Sequence, residues 1–113
     1  MTKIVADWPD DADGGVFRRL RANGFNFSIP HTVDYNVDFP CWPPPAEAVE
    51  RLKAAHGQVE LFEPEDGDLG HVQFQVHALV SYESVTSVQR QVSAAMSQFG
   101  GVCESWGVLH GPA

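Results

Sequence analysis

Residues 25–39 read Phe-Asn-Phe-Ser-Ile-Pro-His-Thr-Val-Asp-Tyr-Asn-Val-Asp-Phe, and the alternation in this stretch decides the fold. Its odd positions are apolar or aromatic except His31, and its even positions are polar or proline. Side chains alternate across a strand, so one face of this strand packs on a core while the other meets solvent. Because fifteen residues is long for one strand and Pro30 cannot donate to a ladder, we predict an extended lead-in over Phe25–Ile29 and a strand over His31–Phe39.

The remaining elements follow from periodicity and from stop signals. Apolar residues that recur at three- and four-residue steps predict helices, and strict alternation predicts strands. Asn23-Gly24, Gly57 and Gly100-Gly101 are typical of helix ends. The other predicted elements are helices over Pro9–Ala22, Pro44–His56 and Ser84–Phe99, strands over Gln58–Phe62, His71–Val80 and Val102–Leu109, and an acidic turn over Glu63–Gly70.

Without its first helix, this order is β-α-β-β-α-β. Right-handed crossovers then give a ferredoxin-like α+β sandwich, a four-stranded antiparallel sheet with two helices on one face, plus the extra N-terminal helix. The first and third strands are central in that topology. Their polar side chains form a sheet surface that no helix covers, composed of Thr32, Asp34, Asn36, Asp38, Gln73, Gln75 and His77.

Composition indicates one acidic domain over residues 1–113. The formal charge is −8, from 15 acidic and 7 basic residues. Such a surface repels phosphate backbones and favours basic protein partners, although acidity also simply keeps a domain soluble. No apolar stretch is long enough for a membrane span, the N-terminal residues lack the apolar region of a secretory signal, and two cysteines make no disulfide framework. We therefore expect a cytoplasmic protein.

The sequence carries no pattern typical of catalysis or of a cofactor site. It lacks GxSxG, P-loop, HExxH and CxxC motifs, and its two acidic clusters miss the ligand spacing of calcium loops. We therefore predict no enzyme activity, no cofactor and no metal. One alternative stays open, in which His77 joins Asp34 or Asp38 across the central strands in a metal or acid–base site.

The aromatic residues argue against nucleic-acid binding by the sheet. RNA-binding domains of this architecture stack bases on aromatics of the uncovered face, whereas Tyr35, Phe39 and Phe74 fall on the helix side here. His31, at an otherwise apolar position, is typical of a hydrogen-bonded structural histidine. Trp106 has two interpretations, either an exposed anchor for a partner or a packed residue of the last strand.

Several motifs stand out together: Asn23-Gly24, Ser28-Ile29-Pro30-His31-Thr32-Val33-Asp34-Tyr35, Phe39-Pro40 and Phe99-Gly100-Gly101-Val102-Cys103-Glu104-Ser105-Trp106-Gly107. Over about residues 13–109 they resemble the regulator of ribonuclease activity B family, which includes protein inhibitors of ribonuclease E. The positions that match the family pattern are His31, Asp34, Gly100, Gly101, Trp106 and Gly107. Cys103-Glu104-Ser105 stands where the family has Tyr-Asp-Gly, and the sequence carries no long acidic C-terminal tail like that of the family's ribonuclease inhibitors.

The resemblance implies a ferredoxin-like fold and a small bacterial protein that modulates RNA decay by binding a ribonuclease with a basic scaffold region, without performing chemistry. The alternative is an immunity-like or other acidic interaction domain with a different basic partner. For either function we predict no direct binding of nucleic acid or membrane, and the uncovered face is also a candidate homodimer surface. The predicted partner-binding residues are Asp34, Asp38, Gln73, Gln75, His77 and Trp106.

Overall fold

The computed structural model describes residues 9–108, and its elements follow the predicted order. Leu109, the predicted end of the last strand, lies outside the described residues. None of the described helices combines the length and the apolar character that crossing a membrane requires. The elements are α1 (Ala12–Ala22), β1 (His31–Phe39), α2 (Ala46–His56), β2 (Val59–Phe62), β3 (Gly70–Ala78), α3 (Tyr82–Met96), a 3-10 turn (Ser97–Phe99) and β4 (Val102–Val108).

The four strands form one antiparallel sheet in the order β2-β3-β1-β4. β1 and β3 are central and pair over their whole lengths, from His31 opposite Ala78 to Phe39 opposite Gly70. β4 pairs with the other side of β1, and one extra residue, Glu104, forms a β-bulge there. This arrangement confirms the predicted α+β fold and its ferredoxin-like topology.

The core lies between one face of the sheet and the helices. Alternate residues of β1 and β3 are buried and meet the apolar stripes of α2 and α3. Burying each large aliphatic or aromatic side chain stabilises the fold by roughly 1.5–3 kcal/mol, so this layer supplies most of the favourable free energy of folding. The core residues are Phe17, Val33, Tyr35, Val37, Phe39, Ala48, Leu52, Val72, Phe74, Val80, Val85, Val92, Met96 and Cys103.

α1 begins three residues later than predicted, at Ala12 rather than Pro9. The cause is Asp11, an extended N-cap residue whose Oδ1 accepts a hydrogen bond from the Gly14 amide at 2.7 Å. The other carboxylate oxygen of Asp11 accepts a bond from the Tyr82 hydroxyl at 2.6 Å, which ties the start of α1 to the start of α3.

The predicted extended lead-in over Phe25–Ile29 is wrong, because the chain turns there. The side-chain oxygen of Asn26 accepts a hydrogen bond from the Ser28 amide at 2.9 Å, so local turn chemistry overrides the alternation. The turn places the Asn26 carbonyl oxygen 2.8 Å from Nε2 of His31, which donates to it. The prediction of a hydrogen-bonded structural histidine is therefore confirmed.

Other boundaries differ by one to three residues, the largest difference being the end of α3 at Met96, because Ser97–Phe99 form the 3-10 turn. α2 begins at Ala46 instead of Pro44, with Pro45 as its N-cap. α3 begins at Tyr82 rather than Ser84 because Ser81 and Ser84 form a capping box, in which each side chain bonds the backbone of the other residue. β3 covers Gly70–Ala78 instead of the predicted range 71–80.

Candidate functional site: the open face of the sheet

The sheet surface opposite α2 and α3 is called the open face. Residues paired across antiparallel strands share a face, so the register assigns its members from every strand. The open face consists of Thr32, Asp34, Asn36 and Asp38 of β1, His71, Gln73, Gln75 and His77 of β3, Glu60 and Phe62 of β2, and Val102, Ser105 and Gly107 of β4.

Polar side chains on the open face bond to one another across the strands. Gln75 donates to Oδ1 of Asp34 at 2.6 Å, and Gln73 donates to the side-chain oxygen of Asn36 at 3.0 Å. The amide nitrogen of Asn36 in turn donates to the Ser105 hydroxyl at 3.0 Å. These bonds hold the side chains of the central strands in defined rotamers, so the face is a preorganised polar surface.

The register pairs His77 directly with neither Asp34 nor Asp38, the two partners of the alternative metal or acid–base site; Asp34 lies opposite Gln75. His77 lies opposite Thr32, with 3.2 Å between Nδ1 and the threonine hydroxyl. Asp38 lies opposite His71 at the other end of the strands, roughly 20 Å from His77 at the rise of a strand. Within residues 9–108, no group of three or more His, Cys, Asp or Glu side chains is arranged to hold a metal ion.

Asp38 occupies an unfavourable position for a carboxylate. It is half-buried, and this burial, with the charge of Glu104 as a further cause, raises the pKa of Asp38, while His71 acts in the opposite direction. The surroundings of Asp38 therefore disfavour its ionised form, although that form gives the open face a negative charge.

Among residues 9–108, acidic side chains occur on helices and strands alike, whereas lysine and arginine are confined to the helices. These basic residues are Arg18, Arg19 and Arg21 of α1, Arg51 and Lys53 of α2, and Arg90 of α3. Carboxylates without a basic residue among them occupy the strands and the β2–β3 turn: Asp34, Asp38, Glu60, Glu63, Glu65, Asp66, Asp68 and Glu104. Such a surface attracts cationic groups.

The structure separates Trp106 from the other predicted site residues. Trp106 lies opposite Tyr35, a core residue, and therefore on the helix side of the sheet. Its Nε1 donates to Oδ1 of Asp13 at 2.8 Å, and its ring lies 5.1 Å from that of Phe17. Asp34, Asp38, Gln73, Gln75 and His77, in contrast, share the open face.

Phe62 is an open-face aromatic that sequence reasoning missed. Its ring stacks on His71 with 4.7 Å between centroids, and 37% of the residue is exposed. β2 has apolar residues at Val59, Leu61 and Phe62, so its alternation does not indicate which of them face the core. Only the pairing of Phe62 with His71 assigns its face.

The glycines that match the family pattern have different roles. Gly100 has φ +81°, a left-handed conformation that ends the helical segment. A Cβ on Gly101 would lie 2.8 Å from the Phe39 ring, so close packing requires glycine there. A Cβ on Gly107 would have no neighbour within 4 Å, although Gly107 lies opposite Asp34. Steric crowding therefore explains why residue 101 is glycine, but it does not explain why residue 107 is glycine.

The fold and its open face define a small α+β domain with an acidic, preorganised sheet surface suited to binding. A family model described as regulator of ribonuclease activity B matches residues 10–108, nearly the whole chain, and the chain belongs to this family. The resemblance found in the sequence is thus confirmed. A search of curated proteins finds no match to the chain. The family regulates ribonuclease activity by binding and is not a known class of enzymes.

Proposed function

We propose that this chain is a non-catalytic regulator that binds a ribonuclease through the open face and thereby modulates RNA decay in the bacterial cytoplasm. The ribonuclease contributes a basic scaffold region, as the resemblance to inhibitors of ribonuclease E implies. The observation that carries this proposal is the distribution of charge: the described strands and the β2–β3 turn carry carboxylates and no lysine or arginine, whereas the described helices carry residues of both signs.

The contact residues proposed on this face are Asp34, Asp38, Gln73, Gln75 and His77. Asp34 is held by Gln75, so a cationic group meets a carboxylate whose position is already fixed. Gly107, which has no side chain beside Asp34, leaves room for a partner to approach. Electrostatic complementarity of this kind raises the association rate and selects among partners more than it adds affinity.

The same charge pattern opposes two other occupants of the open face. Nucleic acid would bring phosphates against carboxylates, with no described lysine or arginine on the strands to neutralise them. A homodimer through this face would bring together two surfaces that carry carboxylates, Asp34, Asp38 and Glu60, and no described lysine or arginine. The homodimer remains a prediction that low pH or high salt would favour.

The second candidate function is an immunity-like domain that neutralises a different basic protein through the same face. The acidic open face supports it equally, because charge alone does not distinguish one basic partner from another. Affinity capture from the native cytosol at low and moderate salt separates the two. Recovery of a ribonuclease supports the first function, and recovery of another basic protein supports the second.

The direct test compares two double variants that remove the same charge. Asp34→Asn/Asp38→Asn removes two of the three carboxylates of the open face, Glu60 being the third, and retains the oxygen that accepts from Gln75. Glu47→Gln/Glu50→Gln removes the same number of negative charges from α2 and is the matched control. Binding to purified ribonuclease E with its scaffold region, and RNA cleavage by that enzyme, are measured at two salt concentrations.

The open-face variant should bind about tenfold more weakly, with a smaller dependence on salt, and should inhibit cleavage less. The α2 variant should behave like the wild-type chain. Equal effects of the two variants would exclude the open face as the binding surface. Failure of the wild-type chain to bind at low salt would exclude ribonuclease E as the partner.

A further inference from the structure

We propose that one side of the open face, formed by β2 and β3, binds an extended segment of the partner in which two basic residues flank an apolar residue at two-residue spacing. The inference rests on the proposed function, because it describes the segment that the open face recognises. The surface concerned is called the docking strip and consists of Glu60, Phe62, His71, Gln73 and Gln75.

Phe62 is the apolar centre of the docking strip. It lies on the outer strand of the sheet, is 37% exposed, and stacks on His71 with the rings 17° from parallel. The stack holds the Phe62 ring in one orientation, so an apolar or aromatic side chain of a partner meets a fixed surface. Rigid aromatic residues of this kind often dominate the energetics of protein interfaces.

Two shallow cavities flank the centre of the strip. The first, of about 400 Å³, is lined by Gln58, Val59, Glu60, Gln73 and Gln75. The second, of about 290 Å³, is lined by Phe62, Glu63, Glu65, Asp66, Asp68, Leu69 and His71. The first cavity offers one carboxylate, that of Glu60, and the second offers four; the Phe62–His71 pair adds an aromatic wall to the second.

The spacing of these features matches an extended chain. Residues two apart on one face of a strand are separated by roughly 6.5 Å, and the side chains of an extended peptide repeat at the same distance. A segment lying along β2 therefore presents side chains i, i+2 and i+4 to Glu60, Phe62 and the acidic turn in succession. The complementary residues are basic, apolar and basic, and an arginine in the second cavity also gains a cation–π contact.

Charge complementarity decides the occupant. No described lysine or arginine lies on β2, β3 or the turn between them. A second copy docked through the same face would bring its own carboxylates towards Glu60, so the strip favours a cationic partner segment over face-to-face self-association. The order of side chains in basic-x-apolar-x-basic is the same in both directions, so side-chain order alone does not select the orientation of the segment.

The test uses the full chain and a synthetic peptide probe, acetyl-Gly-Arg-Ser-Phe-Ser-Arg-Gly-amide. A permuted peptide, acetyl-Gly-Arg-Ser-Ser-Phe-Arg-Gly-amide, has the same composition but neither arginine two residues from phenylalanine. Titration of each peptide into the ¹⁵N-labelled protein is followed by NMR. We expect the first peptide to shift the amide signals of the docking strip and to bind several-fold more tightly than the permuted one.

Two variant pairs locate the contact. Phe62→Ser should weaken binding of the first peptide about tenfold, whereas Leu61→Ser, on the same strand and 45% exposed but on the opposite face, should not. Glu60→Gln should weaken binding and Glu50→Gln on α2 should not. Equal binding of the two peptides, or equal effects within a pair, would overturn the inference.

The inference and the proposed function fail separately. If Phe62→Ser and Glu60→Gln regulate the ribonuclease as well as the wild type does, the docking strip is wrong and the function stands. If the wild-type chain does not act on ribonuclease E but binds the first peptide at the strip, the strip stands and the proposed partner is wrong. Thermal unfolding of each variant excludes loss of the fold as the cause.

Discussion

Asp38 shows at the scale of one residue how the open face differs from a surface selected for stability alone. The carboxylate is half-buried beside Glu104, and burial is the main cause of its raised pKa. A raised pKa in the folded state means that the native protein binds this proton more tightly than the unfolded chain does. Ionised Asp38 therefore reduces the free energy of unfolding at neutral pH. Asparagine at this position would avoid that cost.

The variant Asp38→Asn should accordingly be more stable than the wild-type chain at neutral pH. The gain should shrink as the pH falls through the raised pKa of the folded protein and should vanish below 3.8, the ordinary value for aspartate, because wild-type Asp38 is then protonated in both states. Urea unfolding of both proteins across this range measures the difference. A difference that does not vary with pH would contradict the assignment, and Glu50→Gln serves as an exposed control.

The two cysteines give a second test of burial at single residues. Cys103 is 3% exposed, and its burial raises the pKa of the thiol to about 12, whereas Cys41 is exposed. Because the thiolate is the reactive form, a thiol reagent should label Cys41 in the native protein and Cys103 only after unfolding. Mass spectrometry after brief labelling distinguishes the sites. Rapid native labelling of Cys103 would show that this part of β4 opens readily.

At the scale of an element, β1 explains why most of the candidate site could be predicted. Its strict period of two assigns Asp34 and Asp38 to the open face without any knowledge of the neighbouring strands. β4 has no comparable pattern, and the bulge at Glu104 puts Cys103 and Ser105 on opposite faces although they are two residues apart. The bulge therefore decides on which side of the sheet Trp106 lies, and no pattern in the sequence predicts that bulge.

The first helix contains a matched pair of glycines for a test of local structure. A Cβ on Gly14 would lie 1.9 Å from the carbonyl oxygen of Pro9, whereas a Cβ on Gly15 would come no closer than 4.0 Å to any neighbour, the Arg19 guanidinium. Gly15→Ala should stabilise the protein by about 0.5–1 kcal/mol through helix propensity. Gly14→Ala should destabilise it by roughly 1–3 kcal/mol through the steric clash.

Chemical denaturation of the two alanine variants measures these opposite effects. Both substitutions add the same methyl group to adjacent positions of α1, so each serves as the control for the other. Stabilisation by both would mean that the chain before α1 moves away from Gly14 at little cost. Destabilisation by both would show that α1 does not tolerate a side chain on this part of its surface.

For the whole molecule, the decisive feature is that the two sides of the sheet have separate tasks. The helix side holds the apolar core, and the open face carries a polar network whose members bond mainly to one another. The hydrophobic pattern is sufficient to predict this division, and with it the fold, because burial dominates folding free energy. The parts that escape prediction, such as the turn at Asn26 and the edge residue Phe62, depend on hydrogen bonds and pairings between particular residues.

The hydrogen bond between Trp106 and Asp13 lies on the helix side of the sheet, so its loss should affect stability rather than binding by the open face. These residues are 93 positions apart in sequence, and Gln89 on α3 also donates to Asp13, at 3.3 Å. Trp106→Phe retains an aromatic ring beside Phe17 but removes the Nε1–H donor, and a hydrogen bond to a charged group contributes about 1.5–3 kcal/mol. We expect a loss of that size in the free energy of unfolding, and non-additive losses when Trp106→Phe and Asp13→Ala are combined.

Binding assays on the same variant decide between the two interpretations of Trp106. If Trp106 is a packed residue that joins α1 to β4, the Trp106→Phe protein should bind the ribonuclease with unchanged affinity. The measurement is made under conditions in which the variant is fully folded. If Trp106 instead anchors the partner, the Trp106→Phe protein should bind the ribonuclease more weakly while its free energy of unfolding is unchanged. The geometry favours the first outcome, because the indole nitrogen already donates to Asp13 and its ring packs against Phe17 on the helix side.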